Sequence, residues 1–320
     1  MNRDDLDLLA RSLRHAITSS TAGAVDAALL ALGWPDALAD DPRAAISTLF
    51  ELQGAHHTTS SSLGLVLADA LGMAVAADGG FLIPVVGGAD PPGRFAGDRL
   101  HVDGLMPAAA ASWPTVSVVA VRGDEHVVAA VPPSALRVAA ITGLDPAGAL
   151  QRVTGADLIT STTVPLDAVR WTAAVARGRL AVAHELVGAS RTMLELARTH
   201  ALERVQFGRP ISAFQAVRHR LAEALVAIEV ADASLDAGWL DGSPRAAAMA
   251  KATAGRSART VARHSQQVLA GIGFTTEHDF HHHLRRTVVL DALLGSSVSL
   301  TRDLGADLLC DRHLPPLLPL

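Results

Sequence analysis

From Trp171 onward the sequence holds four long stretches of helical periodicity, about 172–203, 211–240, 244–271 and 276–308, separated by short breaks. Helices of that length joined by short connections have antiparallel neighbours, so an up-and-down four-helix bundle is the expected product. The sharpest break is Glu203-Arg-Val-Gln-Phe-Gly-Arg-Pro-Ile-Ser-Ala-Phe-Gln215. Gly208 tolerates conformations closed to other residues, and Pro210 lacks an amide donor. Ser212 is placed to cap the next helix, which continues through Phe214, Val217, Leu221 and Leu225. Arg204 and Gln215 are thereby presented at a helix–helix corner, where an arginine fork and free backbone amides favour an anion. Taken alone, Arg204 reads more simply as a solvated residue of a helix hairpin.

The first 171 residues have two other textures. Residues 1–78 are helical in pattern, with apolar positions at three- and four-residue spacing over Asp4–Arg14, Ala22–Leu32, Ala44–Leu52 and Ser62–Ala77, and a stop at Gly33-Trp-Pro35. From Gly79 the pattern changes to short β-branched runs at Phe81–Val86, Arg99–Val102, Val116–Val121, His126–Val131 and Leu158–Val164, separated by Gly, Pro and Asp. An antiparallel β domain ending near Pro165 is expected. The chain therefore divides into an N-terminal helical domain (1–78), a middle β domain (79–170) and a C-terminal bundle (171–320), an α+β multidomain architecture.

Composition narrows the function. The net charge of −5 gives no electrostatic reason to expect nucleic acid or an anionic membrane. No apolar run reaches the ~18–20 residues of a membrane span, and the acidic start MNRDDLDLLARSL is unlike a signal peptide. Cys310 is the single cysteine, which excludes an intrachain disulfide and a cysteine metal cluster. A cytoplasmic, soluble protein is the simplest fit. Lys251 is the only lysine among 27 basic residues, so arginine abundance reflects composition before function.

Two long motifs carry more. ARTHALERVQFGRPISAFQAVRHRLAE resembles the segment YAxxRxQFGxPIxxFQxxxxxLA by which acyl-CoA dehydrogenases hold FAD. HSQQVLAGIGFTTEHDFHHHLRR is similar to that family's Q-x-x-GG-x-G-(F/Y)-T-x-E segment in the form that continues EHDxHxYxRR. The order helix, sheet, four-helix bundle matches the family fold, with the N-terminal helical domain shortened.

The resemblance implies the chemistry. Such enzymes remove an α-proton from an acyl-CoA with a glutamate and pass the β-hydride to flavin, which requires a carboxylate over a polarised thioester. The family places that glutamate at one of two positions, which correspond here to Leu294 and Gly178. Neither accepts a proton. The family's T-E-x-x-x-G-S-D turn corresponds to Pro84–Asp90, retaining Asp90 but with Ala89 for the serine. Its flavin-facing W/F-I-T/S strand corresponds to Gly104–Ala110, with Pro107 in it. Retained are the residues that the resemblance assigns to a neighbouring subunit's FAD pyrophosphate and adenosine: Arg204, Gln206, Phe207, Gln215, Gln267 and Gly271, with Ala270 for the first of the paired glycines.

The resemblance therefore implies the short, base-lacking subunit of an actinobacterial α2β2 steroid-type acyl-CoA dehydrogenase. A full-length acyl-CoA dehydrogenase partner would supply the catalytic glutamate, with FAD as cofactor, an acyl-CoA substrate (a steroid side-chain CoA ester by analogy) and an electron-transfer acceptor. The second reading is a flavin-free pseudoenzyme with a structural or regulatory role. Other polar groups read more simply. His278 and His282 are i and i+4, but the family's EHDxHxY pattern accounts for two of the histidines and no metal is expected. His184-Glu185 reads as a displaced acid–base pair, or Glu185 as the surface partner of Arg191 or Arg198. Arg285-Arg286 either meets a CoA phosphate or faces solvent.

Overall fold

The computed structural model describes residues 3–20, 24–73, 79–107, 113–160 and 163–312. Its architecture is the expected α+β order. Five short helices come first: α1 (Arg3–Ser19), α2 (Val25–Ala31), α3 (Trp34–Asp40), α4 (Pro42–His56) and α5 (Ser62–Ala70). The Gly33-Trp-Pro stop is also a start. Gly33 takes a left-handed conformation (φ 70°) and Pro35 falls in the first turn of α3, where its missing N–H is no loss. The helix expected over 62–77 ends at Ala70, and residues 74–78 lie outside the described residues.

The middle segment forms one eight-stranded sheet from β1 (Gly79–Phe81), β2 (Gly93–Ala96), β3 (Arg99–Pro107), β4 (Thr115–Arg122), β5 (Glu125–Val131), β6 (Arg137–Ala140), β7 (Leu150–Leu158) and β8 (Thr163–Leu166). The strand order is β6-β7-β3-β2-β4-β5-β8, with β1 also on β4. Most pairs are antiparallel, as expected, but β1 and β2 both run parallel to β4. The loop from Leu82 to Pro92 lets the two short strands share that one edge, an arrangement that strand periodicity does not encode.

The bundle consists of α6 (Ala168–Glu203), α7 (Gln215–Asp241), α8 (Pro244–Leu269), α9 (Phe280–Ala292) and α10 (Ser297–Asp311). The fourth helix, expected to be continuous over 276–308, is thus broken. Leu294 (φ 55°) and Gly295 (φ 100°) are both left-handed, and the Ser296 side chain caps α10 by accepting from the Ser299 amide. The carbonyls freed by the break are satisfied by cations. Lys251 Nζ donates to Asp291 O (3.0 Å) and Gly295 O (3.4 Å), and Arg179 Nε to Leu294 O (2.9 Å). No helix among the described residues is long and apolar enough to cross a membrane.

One apolar core runs through all three segments. It joins Leu67 of α5 and Leu71 that caps it, Phe81, Leu105 and Val119 of the sheet, and Trp171, Leu186 and Leu290 of the bundle. The α4–α6 crossing is backbone against backbone. A Cβ on Gly54 would lie 2.1 Å from Glu185 O, and one on Gly188 2.1 Å from Glu51 O, so the crossing requires glycine on both sides.

Candidate functional site

Gly178 and Leu294, the two positions that the family resemblance assigns to a base, converge. Gly178 lies on α6 and Leu294 at the α9–α10 break. A Cβ on Gly178 would stand 2.8 Å from Leu294 Cδ1 and 2.9 Å from Leu67 Cδ2. Leu294 is only 1% exposed. Two positions remote in sequence therefore point at one place, and apolar side chains occupy it.

Beside it lies a cavity of ≈ 30 Å³ lined by Leu63, Phe81, Ile83, Pro107, Leu150 and Leu293, with Glu185 and Arg286 at its polar end. That volume holds about one water. Glu185 is here, not on the bundle surface. It is 3% exposed, and Arg286 donates to its Oε1 through Nε (2.9 Å) and an η-nitrogen (2.6 Å). Arg286 is likewise neither solvated nor free for a CoA phosphate: it is 5% exposed and reaches Asp145 Oδ2 at 3.5 Å. His57, the left-handed C-cap of α4, pairs with Asp145 Oδ1 at 3.2 Å.

Burial pushes the Glu185 carboxyl up, while the Arg286 charge pulls it back. Burial would also raise Asp145, but the His57 hydrogen bond and the Arg286 charge outweigh it and hold that carboxyl below its usual range. The surface arginines expected to pair with Glu185 are engaged elsewhere: Arg191 with Glu51 and Asp232, Arg198 with Glu195. Nor is His184 paired with Glu185. Consecutive helix residues diverge by ~100°, and His184 bridges Glu51 (3.0 Å at Nδ1) and Trp239, whose Nε1 donates to Nε2 (3.0 Å). Nothing local in the sequence reveals this Glu185–Arg286–Asp145–His57 network, because its members come from four elements.

The 203–215 corner is open. Arg204 caps the end of α6, its amide donating to His200 O. Val205–Gln206 and Arg209–Pro210 then pair as a minimal hairpin, β9 and β10, whose two-residue turn, Phe207 (φ 52°) and Gly208 (φ 76°), is left-handed at both positions. Phe207 projects from the tip, 91% exposed, edge-on to Phe214 at 6.1 Å. The Arg209 guanidinium covers the other ring, 4.4 Å from the Phe214 centroid. Ser212 does not cap α7. The cap residue is Phe214, and Ser212 instead offers its carbonyl to Arg218 Nε (2.8 Å), since a 3-10 turn over Ile211–Ala213 delays the helix to Gln215.

Arg204, Gln206 and Gln215 are exposed, and the Arg204 and Gln206 side chains make no hydrogen bond among the described residues. Gln267, also exposed, lies in the last turn of α8. Ala270 follows with φ 53° and ψ −130°, a conformation that glycine takes readily and alanine does not. Gly271 borders open space on the side a Cβ would occupy. The end of α6 meets the approach to α9 at His200, whose pKa is lowered by burial and then by His278 and Arg204.

The His281 and His282 rings lie tilted to each other with centroids 3.9 Å apart, the His57 ring lies 5.2 Å from that of His282, and His283 Nδ1 faces Gly54 O at 3.2 Å. Among the described residues no three of His, Cys, Asp and Glu are placed to hold a metal ion. The Pro84–Asp90 turn packs on the bundle, with Gly87 N donating to Ala292 O and Trp171 Nε1 to Ala89 O (3.1 Å). Residues 108–110 of the expected flavin-facing strand lie outside the described residues. Trp113 packs against Gly80, where a Cβ would come within 1.9 Å of its ring.

Residues 169–309 match the family model of the acyl-CoA dehydrogenase C-terminal domain. Acyl-CoA dehydrogenase IpdE2 of Mycobacterium tuberculosis is 36% identical over 126 residues, 39% of this chain and 40% of that protein. Acyl-CoA dehydrogenase FadE34 of the same organism is 41% identical over 123 residues, 36% of this chain and 17% of that protein. The chain thus spans about two fifths or less of the length of these curated relatives. Among solved structures, the Tcur3481–Tcur3483 steroid acyl-CoA dehydrogenase variant superposes with TM-score 0.81 at 20% identity, over 97% of this chain and 98% of that one. The ChsE4–ChsE5 complex of Mycobacterium tuberculosis gives 0.78 at 17% identity, over 99% of both chains. At these identities the likeness is one of fold.

Proposed function

We propose that this chain is one subunit of a heteromeric, FAD-dependent acyl-CoA dehydrogenase, since residues 169–309 match the acyl-CoA dehydrogenase C-terminal domain model and the chain has the acyl-CoA dehydrogenase fold. In this reading a full-length partner subunit of the same family supplies the catalytic glutamate and seats the flavin ring. The observation that carries it is the meeting of Gly178 and Leu294 in an apolar contact, beside a cavity of ≈ 30 Å³. A flavin ring and an acyl chain have no room there, and no carboxylate faces that space as a free base, because Glu185 is tied to Arg286.

The outward corner fits the complementary role. Arg204 and Gln215 would hold the pyrophosphate, Phe207 would cover the dinucleotide, and Gln267, Ala270 and Gly271 would border the adenosine; Gln206 sits beside them on β9. FAD, when bound, supplies the two-electron acceptor for the β-hydride. This chain's residues bind and orient it without moving the substrate proton. A steroid side-chain CoA ester is the substrate class this reading favours, since one fold neighbour, Tcur3481–Tcur3483, is a steroid acyl-CoA dehydrogenase.

Co-expression with a full-length acyl-CoA dehydrogenase tests the proposal, with flavin content and dye reduction as readouts. The assembled pair should be yellow and active, and the lone chain colourless and inactive. Arg204→Ala in the assembled pair removes a charge-assisted hydrogen bond, roughly 1.5–3 kcal/mol. Flavin retention should weaken roughly ten- to hundredfold, with partial rescue by excess FAD. Unchanged flavin stoichiometry and rate in an intact complex would favour the flavin-free structural partner instead.

A further inference from the structure

A recess that shares no residue with the Arg204 corner or with the Gly178–Leu294 contact lies where α2, α3 and α5 meet the sheet at Gly79. It has a volume of ≈ 250 Å³ and is lined by two carboxylates, Asp26 and Asp36, and by no Arg, Lys or His. The chain holds 27 basic residues, yet among the described residues none forms an ion pair with either acid. Each acid stands in the first turn of its helix, where the macrodipole favours negative charge. That accounts for the sign of the charge, but not for the apolar walls set beside it.

Asp26 is half-buried, and the Ser61 amide fixes it by donating to Oδ1 at 2.8 Å. Burial pushes its pKa up, against the pull of the Ser61 hydrogen bonds, and no neighbouring positive charge adds to that pull. A carboxylate so placed is a partly desolvated charge without a counter-ion. Leu29 and Leu65 supply an apolar wall and Trp113 an aromatic one. The six-membered ring of Trp113 lies so close to Gly80 that the indole is pinned against β1. Asp36 is exposed at the rim, its Oδ2 3.5 Å from where a Cβ on Gly33 would stand.

We propose that this recess binds a small primary amine as its ammonium ion, with the N–H groups on Asp26 and the hydrocarbon body on Leu29, Leu65 and Trp113. An ammonium supplies the missing charge and three donors in one compact head. An indole attracts a cation as well as an apolar group, so both parts of such a ligand gain from Trp113. The volume falls below the roughly 300–1,000 Å³ of drug-sized pockets, which restricts the ligand to a few carbons or a single ring. A divalent cation suits the site less well, since among the described residues no three of His, Cys, Asp and Glu converge to hold one. The inference does not depend on flavin sharing or on a partner subunit.

The test is calorimetric titration of the full chain with phenethylammonium chloride and with 2-phenylethanol, its uncharged counterpart. Expected are saturable binding of the amine and at least tenfold weaker binding of the alcohol, a comparison that needs no variant. Asp26→Asn keeps an acceptor for the Ser61 amide and removes the charge, so it should lose at least tenfold in amine affinity and leave the alcohol unchanged. Trp113→Ala should weaken both ligands. Circular dichroism checks that each variant is folded. No amine binding at millimolar ligand, equal affinity for amine and alcohol, or amine binding indifferent to Asp26→Asn overturns the proposal. So does displacement of the amine by millimolar calcium chloride but not by sodium chloride of equal ionic strength, an outcome that marks a divalent-cation site instead.

Discussion

At the scale of single residues, Leu294 and Ala270 each sit where the backbone asks for something else. Leu294 adopts φ 55° at a helix break and turns its side chain into the core against Gly178. Leu294→Glu would bury an unpaired carboxylate among Leu63, Leu67 and Leu293, at a cost of several kcal/mol. The expected result is a destabilised chain with no dehydrogenase activity of its own, measured by urea denaturation and dye reduction with a panel of acyl-CoAs. Turnover by that lone variant would mean that the flavin pocket is intact after all. Ala270, at φ 53° and ψ −130°, carries backbone strain of about 1–3 kcal/mol. Glycine relieves it while losing ~0.5–1 kcal/mol to unfolded-state entropy. Ala270→Gly should therefore stabilise by about 1 kcal/mol in chemical denaturation, and a loss of stability would place the strain elsewhere.

At the scale of elements, the break between α9 and α10 depends on hydrogen-bond donors drawn from other helices. Lys251 is wholly buried, and its ammonium, donating to carbonyls of the break, is brought from 10.5 down to about 7 by burial, against the pull of Asp291. Between those two values the unfolded chain holds the extra proton, so stability should rise with pH from about 7 towards 10.5, and the penalty is complete below 7. Lys251→Met should flatten that rise. Denaturation midpoints at pH 7 and 9.5 for both proteins measure it, and parallel slopes would show that another group is responsible. Local periodicity implied one continuous helix here. It could not show the break, because the donors that satisfy the freed carbonyls lie on α6 and α8.

At the scale of the whole molecule, α4, the sheet and the bundle meet at the Glu185–Arg286–Asp145–His57 network and at the glycine crossing of α4 on α6. His283 of α9 faces Gly54 O of α4 at that junction, and burial, then the charge of His57, bring its pKa to about 4. The folded chain therefore holds fewer protons than the unfolded chain between pH 4 and 6.5. Stability present above 6.5 is lost as pH falls through that window, by ~3 kcal/mol from this residue. His283→Gln should lose distinctly less between pH 7 and 4.5 in urea titrations. Equal losses would assign the acid sensitivity to the neighbouring carboxylates.

Short-range information was enough for the helix–sheet–bundle order, the break at Gly208–Pro210, and the absence of a carboxylate at residues 178 and 294. Propensity, periodicity and residue identity act within one element and survive translation into a fold. Side-chain destinations did not. A shared helix makes Arg191 the expected surface partner of Glu185, yet the fold buries Glu185 against Arg286 from a helix some hundred residues later. A charge goes inside only when another element brings its counter-charge there, since burial alone is too costly. The sequence by itself determined that glycine and leucine stand at residues 178 and 294. Only the tertiary structure decided where its charges meet, because that depends on which elements pack together.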